Sequence, residues 1–163
     1  MIQDAEVLLK RLHSQNVEFV IVGGICNVLH GVTIVTQDVD VCCNFTPENL
    51  WRLYEAVKDL HPVYRHTPQK MPFVLDDRLA RELKNIYLRT DCGVIDCLSE
   101  IAGLGGYDAV QQVSIPIALS FGQCQMLSLD ALIRSKETLG RDHDLAAVRQ
   151  LRAIKERNEQ ENQ

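Results

Sequence analysis

The sequence lacks a long hydrophobic run, a signal-peptide core and an excess of positive charge. No apolar stretch approaches the roughly 18 residues of a membrane span, and the segment from Met1 to Gln15 is amphipathic with mixed charge. The formal net charge is -5, so charge alone gives no basic face for nucleic acid. We therefore expect a cytoplasmic protein that has no membrane partner.

Cysteine pairs with metal-binding or disulfide spacing are also missing. The 6 cysteines include no CxxC pair, and no His-x3-His partner lies near them. Free cysteine is among the most buried residue types, and cytosolic thiols stay reduced. We predict six free thiols that pack as small hydrophobic side chains.

Neither an internal repeat nor an interdomain linker divides the 163 residues. Hydrophobic residues make up 46% and charged residues 24%, close to the average of globular domains. A chain of this size usually forms one domain. We predict a single domain over residues 1–163, with a polar tail that is disordered from about residue 158.

Helical and extended patterns alternate along the chain and predict a mixture of helices and short strands. The predicted helices lie near residues 3–15, 25–30, 46–60, 128–138 and around an apolar stripe of Leu145, Val148, Leu151 and Ile154. The predicted strands lie near residues 18–22, 38–43, 86–89, 94–98, 113–118 and 123–127. Residues 90–93 are predicted as a four-residue hairpin turn, and residues 61–84 as a long loop with one short helix.

Three aspartates stand out in the predicted strands. Asp38 and Asp40 are two residues apart, so in a strand both carboxylates project from one face. Two carboxylates 4 Å apart repel by about 4 kcal/mol at an effective dielectric of 20, and a divalent metal is the simplest remedy. Asp96 is an isolated acid between hydrophobic residues, where an unpaired charge is unfavourable. Carboxylate oxygens suit Mg²⁺, which substrate phosphates usually complete.

Gly23 and Gly24 lie between a predicted strand and a predicted helix. Two residues without side chains can present backbone N–H groups and a helix start to an anion. We therefore consider them candidates for holding phosphates, although a Gly-Gly pair alone is more often a simple turn.

The ordered set of these features resembles the nucleotidyltransferase superfamily. The segments V-I-V-G-G-I-C-N-V-L-H-G and T-Q-D-V-D-V resemble its small prokaryotic branch, the MNT-like antitoxins and AbiEii-type proteins. The C-terminal segment L-S-L-D-A-L-I-R-S-K-E-T-L-G is also similar to that branch. The resemblance implies an α/β (α+β) fold, in which helices flank a mixed β-sheet and further helices follow at the C-terminus.

The resemblance also implies a chemistry. Asp38 and Asp40 would bind metal ions, Asp96 would bind a second metal and help to activate an acceptor hydroxyl, and Gly23 with Gly24 would hold nucleotide phosphates. Lys136 would reach a phosphate as a point charge. The implied cofactor is Mg²⁺ or Mn²⁺, and the implied reaction transfers a nucleoside monophosphate from an NTP to a hydroxyl by a two-metal mechanism.

One position departs from the pattern of the superfamily. Relatives often carry Arg two residues before the Thr that precedes the Asp pair, whereas this chain has Ile34. Arg65, Lys70, Arg78 or Arg89 are candidates to replace that arginine. The alternative is a weakly active or inactive module that binds a nucleotide or a partner, as an antitoxin binds its toxin. The acceptor stays open: a protein, tRNA or a small molecule such as an antibiotic.

Overall fold

A seven-stranded mixed β-sheet forms the centre of the fold. The computed structural model describes residues 3–163. The helices are α1 (Gln3–Ser14), α2 (Gly23–Leu29), α3 (Pro47–Val57), α4 (Asp77–Glu82), α5 (Tyr107–Gln112), α6 (Leu129–Leu139) and α7 (Asp142–Glu161). The strands are β1 (Phe19–Val22), β2 (Val39–Cys43), β3 (Val63–Tyr64), β4 (Asn85–Thr90), β5 (Gly93–Leu98), β6 (Glu100–Ile101), β7 (Gly105–Gly106), β8 (Ser114–Leu119) and β9 (Gly122–Leu127).

The strand order of the large sheet is β3-β4-β5-β2-β1-β9-β8, and β6 pairs with β7 in a separate short ribbon. Strand β1 is antiparallel to β2 and parallel to β9, while β2 is parallel to β5. The two strands that carry Asp40 and Asp96 and the strand that leads into Gly23 are therefore adjacent in the order β5-β2-β1. The predicted fold class, a mixed sheet flanked by helices with further helices at the C-terminus, is confirmed.

Alternation along β2 and β5 separates the core from the candidate site. Val39, Val41, Ile95 and Cys97 are fully buried on one face of these strands. Successive side chains of a strand point to opposite faces, so Asp40 and Asp96 project from the other face. The 6 cysteines are free thiols, and all but the half-buried Cys92 are buried.

Two local features in the middle of the chain differ from the predictions. The predicted hairpin forms, but Thr90 pairs with Gly93, so two residues, Asp91 and Cys92, lie between the strands and not four. The stretch after His61 contains β3, which pairs antiparallel with β4 and was expected to be loop. Helix α5, after the glycine-rich segment, was not predicted either.

The C-terminal helices follow the sequence pattern with one exception. Ser128 caps α6 by accepting a hydrogen bond from the Ala131 N–H, and Gly140 ends it in the left-handed conformation with φ of 64°. Leu145 lies outside the buried stripe of α7, which consists of Asp144, Ala147, Val148, Leu151 and Ile154. Helix α7 continues to Glu161, beyond the residue at which we expected disorder. Within residues 3–163 no helix is long and apolar enough to cross a membrane.

Candidate functional site

A cavity of about 860 Å³ opens beside the ends of β1, β2 and β5. The helices α2, α6 and α7 complete its walls. Its lining includes all the residues that we predicted for a site: Gly23, Gly24, Asp38, Asp40, Asp96 and Lys136. Residues that are far apart in the sequence are therefore brought to one place.

Asp40 and Asp96 are in-register neighbours on the parallel strands β2 and β5. Adjacent strands lie about 4.8 Å apart, so two like charges face each other at close range. Burial, the charge of Asp96 and then the charge of Asp38 raise the pKa of Asp40 to about 6. The charges of Lys136 and Arg65 offset this rise only in part, so Asp40 favours either a proton or a cation.

Asp38 does not share the strand position of Asp40. It precedes β2, and its side chain is exposed at the mouth of the cavity. The prediction that both acids project from one strand is therefore wrong for Asp38. Its charge still acts on Asp40, because it contributes to the raised pKa of that carboxyl group.

Arg65 lies against Asp96. Its backbone N–H donates to the Tyr87 carbonyl at 3.0 Å, which extends the pairing of β3 with β4. Its Nη2 donates to Asp96 Oδ2 at 2.5 Å, and the guanidinium carbon lies 5.9 Å from the centroid of the Tyr87 ring. The side chains of Arg65 and Asp96 are only 25% and 13% exposed. The hydrogen bond and the acids of the site raise the pKa of Arg65, so it stays charged.

Some buried polar atoms at this end of the cavity have no hydrogen-bond partner. They are Asp96 Oδ1, Arg65 Nε and the side-chain oxygen of Asn27. Buried polar groups nearly always have partners, so unpaired atoms beside a cavity suggest a site that a ligand completes. Asn27 is itself almost fully buried on α2.

The two glycines, Gly23 and Gly24, allow the start of α2 to pack against β2 and the residues that precede it. A Cβ atom on Gly23, which has a φ of 64°, would collide with the Asp40 carboxylate. A Cβ atom on Gly24 would lie 2.6 Å from Thr36 Oγ1. Helix α2 has no side-chain N-cap, because Val22 precedes it. Close packing therefore explains the glycines at these two positions as well as a contact with phosphate does.

The opposite wall of the cavity carries a buried ion cluster between α6 and α7. Asp144 is 0% exposed, Arg141 Nε donates to its Oδ2 at 2.5 Å, and Lys136 Nζ lies 3.5 Å from its Oδ1. Burial alone would raise the pKa of Asp144, but the hydrogen bond from Arg141 and the charge of Lys136 lower it. Although the segment from Arg141 to Asp144 has the polar composition of a solvated helix start, Asp144 is buried in this cluster.

Lys136 is therefore not a free cation. The resemblance implied a phosphate contact for Lys136, whereas the structure pairs its ammonium group with the Asp144 carboxylate. It still lines the cavity, and its charge acts to lower the pKa of Asp40. Two cations and one buried anion leave this wall with a net charge of about +1.

The rim between these two walls is apolar. Ile34, Val35 and Leu139 line the cavity with exposed side chains, and Val35 is 90% exposed. Ile34 occupies the position of the arginine that the resemblance leads one to expect, and its side chain brings no cation to this rim. The nearest arginine to the acids among the candidates that the sequence offered is Arg65.

The residues present fit a divalent cation that a ligand completes. Within residues 3–163 no three His, Cys, Asp or Glu side chains are arranged as a preformed metal cage. Mg²⁺ is usually held by one or two carboxylates together with waters and substrate phosphates. The raised pKa of Asp40 and the unpaired Asp96 Oδ1 are the features that such an ion would relieve.

Comparisons with solved structures identify the same fold in other proteins. A lincomycin-bound lincosamide antibiotic adenylyltransferase, LnuA, superposes with a TM-score of 0.63 at 13% identity, over 94% of this chain and 98% of that chain. A complex of ANT(2'')-Ia with adenylyl-2''-tobramycin gives 0.54 at 15% identity, over 97% and 96%. The solution structure of the antibiotic-resistance factor ANT(2'')-Ia gives 0.56 at 13% identity, over 90% and 79%.

At these identities the likeness shows a common fold, the nucleotidyltransferase fold. No protein-family model and no curated protein matches the sequence. The small MNT-like branch that the sequence resembles therefore stays a prediction.

Proposed function

We propose that the protein is a nucleotidyltransferase, which transfers a nucleoside monophosphate from an NTP to a hydroxyl acceptor with Mg²⁺ or Mn²⁺ as cofactor. The observation that carries the proposal is the in-register pair of Asp40 and Asp96 at a cavity whose other wall holds Lys136 and Arg141. The acidic wall, formed by Asp38, Asp40 and Asp96, suits a metal ion. The basic wall, formed by Lys136 and Arg141, suits the phosphates that accompany the ion. The fold shared with LnuA and ANT(2'')-Ia supports the same reaction class.

In this reaction the acceptor oxygen forms a bond with the α-phosphorus, and the bond from that phosphorus to the bridging α–β oxygen breaks. Pyrophosphate leaves, and the proton of the acceptor hydroxyl passes to the carboxylate of Asp96. Asp38 and Asp40 would hold the ion that accompanies the nucleotide. That ion would neutralise charge that develops on the phosphate oxygens.

Cations of the opposite wall would orient the phosphates. The buried Asp144 forms ion pairs with Arg141 and Lys136 and fixes their positions. The backbone N–H groups of Gly23 and Gly24 would add donors at the start of α2. The two-metal mechanism implied by the resemblance would place a second ion at Asp96, where Arg65 already donates a hydrogen bond.

A second groove supports a place for the acceptor. It has a volume of about 790 Å³, runs from Tyr87 and Glu100 toward the β6–β7 ribbon, and shares those residues with the main cavity. An acceptor in this groove would reach Asp96 from the side of β4, away from Lys136.

The second candidate is a module of the same fold that binds a nucleotide or a protein partner, such as a toxin, without turnover. Two observations favour it: Ile34 replaces the usual arginine, and Arg65 neutralises Asp96. Such a module would bind Mg²⁺-NTP through Asp40 but would release no pyrophosphate.

Labelled nucleotides separate the two candidates. We would incubate the protein with each α-labelled NTP and Mg²⁺, alone and with a lysate, an RNA fraction and hydroxyl-bearing antibiotics, and follow labelled product and pyrophosphate. Transfer that Asp40→Asn and Asp96→Asn abolish supports the enzyme. Nucleotide binding without transfer supports the binding module. The absence of nucleotide binding contradicts the enzyme and leaves only a module that binds a protein partner.

A further inference from the structure

Arg65 occupies the position at Asp96 where a second metal ion would be expected. The ion pair is short, at 2.5 Å, and its two side chains are largely buried. Pairs of this kind are much harder to separate than exposed ones, because neither charge can return to water without rearrangement. A second ion at Asp96 would have to displace a guanidinium that is already bound.

The protein also fixes the position of Arg65 from the backbone. The Arg65 N–H bonds to the Tyr87 carbonyl, and Tyr87 is the in-register partner of Asp96 on β4. The guanidinium lies near the Tyr87 ring, whose other contact is an edge-on ring of His66 at 4.8 Å between centroids. The arginine is thus held at Asp96 by strand pairing and by aromatic packing.

The charges of the acidic wall support the same conclusion. Asp38, Asp40 and Asp96 carry three negative charges when ionised, and all three act on Arg65. With Arg65 present, two negative charges remain, which one divalent ion neutralises. Without Arg65, the three acids would hold an excess charge that favours a second ion.

We propose that Arg65 is the second cation of this site, so that the protein binds its nucleotide with one divalent ion and Arg65 serves as a positioning residue for Asp96. This inference rests on the proposed function. It deepens that function by replacing the two-metal scheme with one metal ion and one guanidinium. Asp96 is thereby oriented toward the acceptor without a metal of its own.

The test counts bound Mn²⁺ by electron paramagnetic resonance in the presence of a non-hydrolysable NTP analogue that saturates the protein. The wild type is expected to hold one Mn²⁺ per bound analogue, and Arg65→Gln is expected to hold two. Arg65→Lys keeps the charge and should hold one. Arg81→Ala removes an exposed arginine of α4, outside the cavity, and should also hold one.

The double variant Arg65→Gln with Asp96→Asn removes both members of the pair and should return the count to one. It also guards against misfolding of the single variant, because it leaves no unpaired charge. Two ions in the wild type, or one ion in a folded Arg65→Gln protein, would overturn the inference. If the wild type binds no analogue at all, the proposed function itself fails, which distinguishes the two failures.

Discussion

The two walls of the cavity both contain a carboxylate beside an arginine, but the charge that remains on each wall differs in sign. On the α6–α7 wall, Asp144 is fully buried and receives bonds from two cations, Arg141 and Lys136. On the β2–β5 wall, three acids share Arg65, and both Asp96 Oδ1 and Arg65 Nε lack partners. The paired carboxylate Asp144 therefore fits a structural role, whereas the excess negative charge and the unpaired atoms around Asp96 suggest a place for a ligand.

The pKa directions show the same contrast. The pKa of Asp144 is lowered, because its hydrogen bond and the neighbouring cations outweigh desolvation. The pKa of Asp40 is raised to about 6, because burial and neighbouring acids act in the same direction. Removal of the two carboxylates should therefore change stability in opposite directions.

The largest effect is expected for Asp144→Asn. The change leaves the largely buried Lys136 without its anion, so the free energy of unfolding should fall by about 3 kcal/mol. Urea denaturation at pH 7 measures this loss. Asp142→Asn, an exposed neighbour on the same helix, should change stability by less than about 0.5 kcal/mol. Equal effects of the two substitutions would contradict the structural role of Asp144.

A smaller effect of opposite sign is expected for Asp40→Asn in the absence of ligand. The folded pKa of Asp40 lies above its unfolded value, so its contribution is fully present below about pH 4 and is lost as pH rises through about 6. At pH 8 the asparagine variant should be more stable than the wild type by about 2 kcal/mol.

The pH dependence of chemical denaturation provides the check for Asp40. The wild type should lose stability between about pH 4 and 6, and Asp40→Asn should lose less over the same interval. Asp38→Asn is the matched control, because that exposed acid contributes less to the pKa of Asp40 than burial does. If Asp40→Asn is less stable than the wild type at every pH, Asp40 has a structural role and the prediction is contradicted.

The smallest effect is expected at the apolar rim. Ile34→Arg restores a cation where relatives often carry one, so the affinity for a Mg²⁺-NTP analogue should rise by about 1 kcal/mol, or roughly fivefold. Calorimetric titration measures this affinity. Val35→Arg is the control, because it adds the same charge at a neighbouring position of the rim. An equal gain at both positions would show that added charge alone, without the specific geometry, is responsible.

Much of the acidic wall could be predicted from the sequence, because local patterns define it. Short buried strands, a Gly-Gly turn and isolated acids in apolar surroundings predicted β1, β2, β5 and the candidate residues that line the cavity. Arg65 could not be assigned among the candidate arginines, because β3 is only two residues long and lies in a stretch with scattered prolines. The ion pair between Arg65 and Asp96 depends on the pairing of β3 with β4.

The basic wall was harder to predict for a similar reason. The segment around Asp144 contains four consecutive polar residues, a composition typical of a solvated helix start. Its burial follows from the packing of α7 against α6, which places Lys136 beside it. Such a contact between two helices leaves no periodic signal in either of them.

Thermal melts of the wild type and Asp40→Asn, with and without Mg²⁺ and a non-hydrolysable NTP, test the central claim most directly. At about 100 times its dissociation constant the ligand should stabilise the wild type by roughly 2.7 kcal/mol and raise its melting temperature. Asp40→Asn should be at least as stable alone and should lose most of that gain. A variant that is less stable alone, yet equally stabilised by Mg²⁺-nucleotide, would contradict the assignment of the acidic wall to ligand binding.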